Sequence, residues 1–180
     1  VENLFDLAGV ALFDDYSQDP RKKLPYTKAQ LQTKLEAIAQ TLLAVDEGRG
    51  PDIILFQEFE LDRTPYSTVE DYDQFLLEYR RRKISELLGE RYTSTVARLP
   101  VEALVLKKLE EVGLKGYAVV VPDPFVSGNA PAHTCVTFSR FPVVYWKQHA
   151  IERARDILEV GLEIDGHPLI VFNNHWKSGA

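Results

Sequence analysis

The sequence predicts a layered α/β or α+β domain, on three observations. Upstream of Gly113, three segments repeat apolar residues at the three- and four-residue steps of helices. After Gly116 the pattern changes to short β-branched and aromatic runs. Asp165-Gly166, set between two alternating runs, is a hairpin signal that makes the last two strands antiparallel neighbours.

Taken in order, residues 4–13 lack a clean period, and Asp14-Asp15-Tyr16-Ser17-Gln18-Asp19-Pro20 has the chemistry of a turn. Thr27 with Gln30 forms a capping box. Leu31, Leu35, Ile38, Leu42 and Val45 continue a helix that Gly48 and Gly50 stop. In Pro51-Asp52-Ile53-Ile54-Leu55-Phe56-Gln57-Glu58, four consecutive apolar residues read as a fully buried central strand. Ser67 with Glu70 makes a second capping box, for a helix running through Tyr72, Phe75, Leu76, Tyr79, Ile84 and Leu87-Leu88 to Gly89. A third helix begins near Pro100, carries Leu104, Leu106 and Leu109, and ends at Gly113. Strands are expected from Tyr117 to Val121, Thr134 to Phe138, Ile157 to Ile164 and Leu169 to Phe172.

Composition bounds the function. Of 180 residues, 45% are hydrophobic and 27% charged, which is globular and excludes a disordered or fibrous chain. The single cysteine, Cys135, excludes an intrachain disulfide framework and a thiolate zinc site. It lies in an apolar run and reads as a small buried hydrophobe. No apolar run approaches the ~20 residues that span a bilayer, so no stable membrane insertion is expected. The net charge of −6 argues against holding nucleic acid by bulk electrostatics, so a polyanionic substrate would need a local positive element such as a metal ion.

Two residues carry the chemistry. Glu58 ends the expected buried strand, where open sheets place ligand sites and where a carboxylate can take a hard divalent cation. On spacing alone a solvated strand exit, with Glu60, is the stronger reading. His175 follows an apolar strand into Asn173-Asn174-His175-Trp176-Lys177-Ser178-Gly179, a cluster able to donate to phosphoryl oxygens; a polar turn covered by Trp176 is the other reading. Arg80-Arg81-Arg82-Lys83, beside Glu78, Glu86 and Glu90, reads as a solvated helix face, although it could touch an anionic backbone. His133, His149 and His167 are isolated and read as surface or turn residues, and Asp14 and Asp15 as a polar turn or a cation site.

Four stretches in order resemble the endonuclease/exonuclease/phosphatase superfamily, the DNase I-like fold, and its bacterial members in particular. They are Val1-Glu2-Asn3-Leu4-Phe5-Asp6; Pro51 to Glu58; Thr137-Phe138-Ser139-Arg140-Phe141-Pro142-Val143; and Asn173 to Ser178. The resemblance implies a four-layer α/β-sandwich with mixed, largely antiparallel sheets, of which residues 1–180 supply about the first half. It implies a Mg²⁺- or Mn²⁺-dependent phosphoesterase, a nuclease or phosphodiesterase that hydrolyses its substrate with metal-activated water. Glu58 matches a catalytic metal ligand and His175 a catalytic contact to the scissile phosphate. Lys177, Arg155 and Asn174 become substrate contacts.

The family's first metal-site asparagine would precede Val1, and no Gly-Asp-x-Asn or closing Asp-His pair occurs in the sequence. The chain therefore reads as the N-terminal part of one domain, incomplete at both ends and inactive alone, with an apolar sheet face left for the remainder of the domain or another chain to cover. A phosphomonoesterase or a phospholipase C of the same superfamily, and a non-catalytic scaffold that keeps the fold, are the rival readings. The sequence carries nothing that assigns a compartment.

Overall fold

A computed structural model describes residues 3–8, 26–62, 69–124, 132–152 and 155–176, and the described chain is α+β, with two three-stranded antiparallel sheets. It divides into a helical unit, drawn from segments 4–51 and 62–115, and a β unit, drawn from segments 1–3, 52–61 and 116–180.

In the helical unit, α1 (Lys28–Leu43) opens on the expected capping box: Thr27 Oγ1 accepts the Gln30 N–H at 3.2 Å, and Gln30 Oε1 accepts the Thr27 N–H at 2.9 Å. Such a cap stabilises a helix by about 1 kcal/mol. Its buried stripe is Leu31, Leu35 and Ala39. The single helix expected up to Gly89 is instead two, α2 (Tyr72–Tyr79) and α3 (Ile84–Leu88). Asp71 caps α2 by accepting the Gln74 N–H at 2.9 Å, while Ser67 lies outside the described residues. The break falls on Arg80–Lys83, where like charges crowd and where Glu86 Oε2 accepts the Lys83 N–H at 2.9 Å, a local bond that restarts the helix. α4 (Val101–Glu111) follows Pro100, which is the N-cap rather than the first helical residue, and it packs against α1, α2 and α3.

α4 buries a carboxyl group. Glu102 is only 5% exposed; its Oε1 accepts from the Tyr72 hydroxyl at 3.3 Å, and Oε2 has no hydrogen-bond partner among the described residues. Burial, reinforced by the charges of Asp62 and Asp6, pushes it up from 4.5 to about 8.

In the β unit, β1 (Ile53–Glu60), β2 (Ala118–Val120) and β3 (His133–Ser139) form one sheet in the order β1-β3-β2. Among the described residues β3, not β1, is the central, fully buried strand. β1 alternates, and Leu55 is 38% exposed. The apolar run at 53–56 misled because Gln57 and Glu58 do not end the strand: the chain bulges there and resumes pairing at Phe59↔Thr134 and Glu60↔His133. That pairing also buries His133, expected at the surface. Cys135 is buried as expected, and burial raises its thiol to about 12.

The second sheet is β4 (Val143–His149), β5 (Ile157–Ile164) and β6 (His167–Asn173), in that order. β4 was not expected from the sequence. The hairpin was: Asp165 (φ 51°) and Gly166 (φ 77°) take the two left-handed positions of a tight turn that starts the pairing at Ile164↔His167. Leu158, Val160 and Leu162 on one face of β5 pack with Val120 and Cys135 of the first sheet. The other face shows Ile170 (51% exposed) and Phe172 (54% exposed), and Tyr145 lies on it against Gly161, where an added Cβ would come within 2.2 Å of the ring. Among the described residues no helix is long and apolar enough to cross a membrane.

Asn173, the last residue of β6 and wholly buried, ties the two sheets together. Its Nδ2 lies 3.0 Å from the Val136 carbonyl, 3.2 Å from the Phe56 carbonyl and 3.3 Å from Thr137 Oγ1, and its Oδ1 accepts from Gln57 Nε2 at 3.0 Å.

Two predictions follow from these buried groups. Asn173→Ala removes the shared donor of two carbonyls and should cost about 2–4 kcal/mol in urea unfolding, against less than about 1 kcal/mol for Asn174→Ala; equal costs would refute the bridging role. For Glu102, the unfolded carboxyl ionises near 4.5 while the folded one holds its proton to about 8. The folded state thus binds more protons between those values, and stability falls as pH rises through them, by up to about 1.4 kcal/mol per pH unit. Glu102→Gln should flatten that slope in pH-dependent thermal melts; an unchanged slope would show that the carboxyl is ionised in the folded protein.

Candidate active site

The site grows from two strand ends of the β unit. The β1 bulge at 57–58 holds Glu58 at φ 61°, a left-handed conformation that costs a non-glycine residue about 1–3 kcal/mol. The turn takes the side chain out of the alternation of the strand. Its Oε2 accepts the Asn3 N–H at 3.0 Å, and its Oε1 lies 3.5 Å from His175 Nε2. His175 sits two residues beyond Asn173, so the inter-sheet anchor of β6 also delivers the imidazole to β1.

Arg155, just before β5, acts on the imidazole through its charge. Burial lowers the pKa of His175 below its usual 6.5; the positive charge of Arg155 lowers it further, while Glu58 opposes both. The imidazole is therefore neutral at neutral pH. His175 Nδ1 and Arg155 Nε are both buried without a hydrogen-bond partner among the described residues. Unsatisfied buried groups are uncommon in folded proteins, and a catalytic role is one of the explanations for them.

The structure thus brings together Glu58 and His175, and the charge of Arg155 acts on the imidazole. Asn174 does not join them: its Nδ2 donates to the Phe172 carbonyl at 3.3 Å, within its own strand end. Lys177 lies outside the described residues, as do Asp14 and Asp15. Asn173 and Gln57, which hold the frame, were not singled out in the sequence. The hairpin at Asp165-Gly166 could have found Asn173, because counting from it pairs Leu158 with Asn173 and sends Asn173, not Asn174, to the inner face.

For a divalent cation, Glu58 supplies one hard oxygen ligand. Oε1 is too far from His175 to spend its lone pairs there, and Mg²⁺ commonly uses one or two carboxylates and completes its shell with water. Glu58 fits as a single ligand. It belongs to no group of three metal-ligating side chains among the described residues.

The arrangement sets an order of titration. By NMR, His175 should titrate below 6.5, closer to it in Arg155→Ala, and lower still in Glu58→Gln; titration at or above 6.5 in the unsubstituted chain would refute the buried, cation-flanked placement. In comparisons with known proteins, no family model, curated protein or solved structure matches this chain.

Proposed function

We propose that the chain carries part of the active site of a divalent-metal-dependent phosphoesterase, a nuclease or phosphodiesterase built on a DNase I-like four-layer sandwich. The observation that supports this most is the meeting of Glu58, held in a strained bulge, with His175, whose charged form is disfavoured by burial and by the charge of Arg155. A carboxylate and an imidazole in one partly buried place, under the charge of a guanidinium, are what a phosphodiester needs.

Each group has a separate role. Arg155 offers a fixed positive charge and an unspent Nε–H for a phosphate oxygen. His175, neutral and with Nδ1 unpartnered, can hold or release a proton at the phosphoryl group. Glu58, fixed by the Asn3 N–H, keeps its other oxygen for Mg²⁺ or Mn²⁺, which supplies charge neutralisation and an activated water when bound. In this reading the substrate is a phosphodiester, with nucleic acid the proposed class. Lys177 adds a contact, and the general base and remaining metal ligands belong to the remainder of the domain, in segments absent from these 180 residues.

The test is hydrolysis of a generic phosphodiester with added Mn²⁺. The 180-residue chain should show no turnover above blank. A protein that carries these residues together with Gly-Asp-x-Asn and Asp-His segments should lose at least ~100-fold in rate in Glu58→Ala and in His175→Ala. Turnover by the 180 residues alone that vanishes in Glu58→Ala would overturn the half-site reading, and full activity in both variants would overturn the assignment of the site.

A further inference from the structure

The break between α2 and α3 exposes four consecutive cations, Arg80, Arg81, Arg82 and Lys83, on the wall of a surface pocket of about 410 Å³ within the helical unit. The same pocket is lined by Lys107, Lys115, Glu110, Glu111 and Leu76. Its two carboxylates are already engaged. Glu111 accepts from Lys107 Nζ at 3.2 Å and from the Ile84 N–H, with Lys108 Nζ at 3.6 Å, while Glu110 faces Lys115 at 4.0 Å. Among the described residues none of Arg80, Arg81, Arg82 or Lys83 takes part in an ion pair. The pocket thus sets six cations against two carboxylates and leaves four of the cations unspent, on a chain whose net charge is −6.

We infer that this pocket is a docking site for the phosphodiester backbone of a single nucleic-acid strand, separate from the Glu58 site. Three arginines in a row suit phosphate oxygens, because each guanidinium can bond bidentately where lysine offers a point charge. The pocket is concave and its one apolar lining residue is Leu76. A flexible strand can enter a concave surface, whereas binding to a lipid headgroup layer favours a flat face with apolar side chains to insert.

The inference is read by binding and not by turnover, so its failure and a failure of the phosphoesterase reading are distinguishable. The 180-residue chain is titrated into a fluorescent oligothymidylate, and anisotropy is followed at 50 and 200 mM salt. If all four cations release counterions at about 0.7 per charge, affinity falls roughly 50-fold between those salt concentrations. The quadruple variant Arg80→Gln/Arg81→Gln/Arg82→Gln/Lys83→Gln should lose that salt dependence and most of the affinity at 50 mM. A variant with the three arginines changed to lysine should keep the slope, and Arg49→Gln/Lys147→Gln should change neither. All are compared only where circular dichroism melts match. An unchanged slope in the quadruple glutamine variant overturns the proposal. So does patch-dependent sedimentation with mixed phosphatidylserine/phosphatidylcholine vesicles when the oligonucleotide does not bind, and so does displacement of the oligonucleotide by inorganic phosphate at equal phosphate concentration.

Discussion

Within the β unit, the carboxamide of Asn173 is the fixed point on which the rest depends. Its single nitrogen lies within bonding reach of carbonyls on both β1 and β3 while its backbone belongs to β6, so one residue holds two sheets in register. A buried amide with all its partners aligned specifies geometry more sharply than the apolar contacts around it, because its bonds are directional. Those apolar contacts, Leu158, Val160 and Leu162 against Val120 and Cys135, drive the sheets together without fixing how they slide. Gln57, whose Nε2 donates to Asn173 Oδ1, carries the constraint to the bulge beside Glu58.

Strain and electrostatics then act at the same place. A glutamate at φ 61° is retained only where its surroundings over-determine it, and here the bulge, the Asn3 N–H and the facing imidazole do so. The imidazole is kept neutral by burial and by Arg155, so it faces Glu58 without a full ion pair, and both groups keep bonding capacity.

Much of the fold was legible from local signals. Thr27 with Gln30 and Asp165-Gly166 act through neighbours in sequence, and both appear where the spacing put them. The errors came where a non-local bond or a competing cap decided. β1 read as central because its apolar run was judged without its partners, and the helix to Gly89 read as continuous because the Lys83–Glu86 cap competes with helix propagation. β4 was passed over because its residues alternate only partly and a register shift lies between Val143 and Tyr145. Of the site, Glu58 and His175 were legible as strand ends. That they lie 3.5 Å apart was not, since the contact spans more than a hundred residues and rests on Asn173.

The position of β6 gives the site a further property. Among the described residues it is one of the two outer strands of its sheet, hydrogen-bonded on one side to β5. Outer strands open at a lower free energy than central ones, through fraying that leaves the rest of the structure intact. Asn173 pins the end of that strand to β1 and β3, so the placement of His175 is tied to both sheets together and not to the free edge of β6 alone.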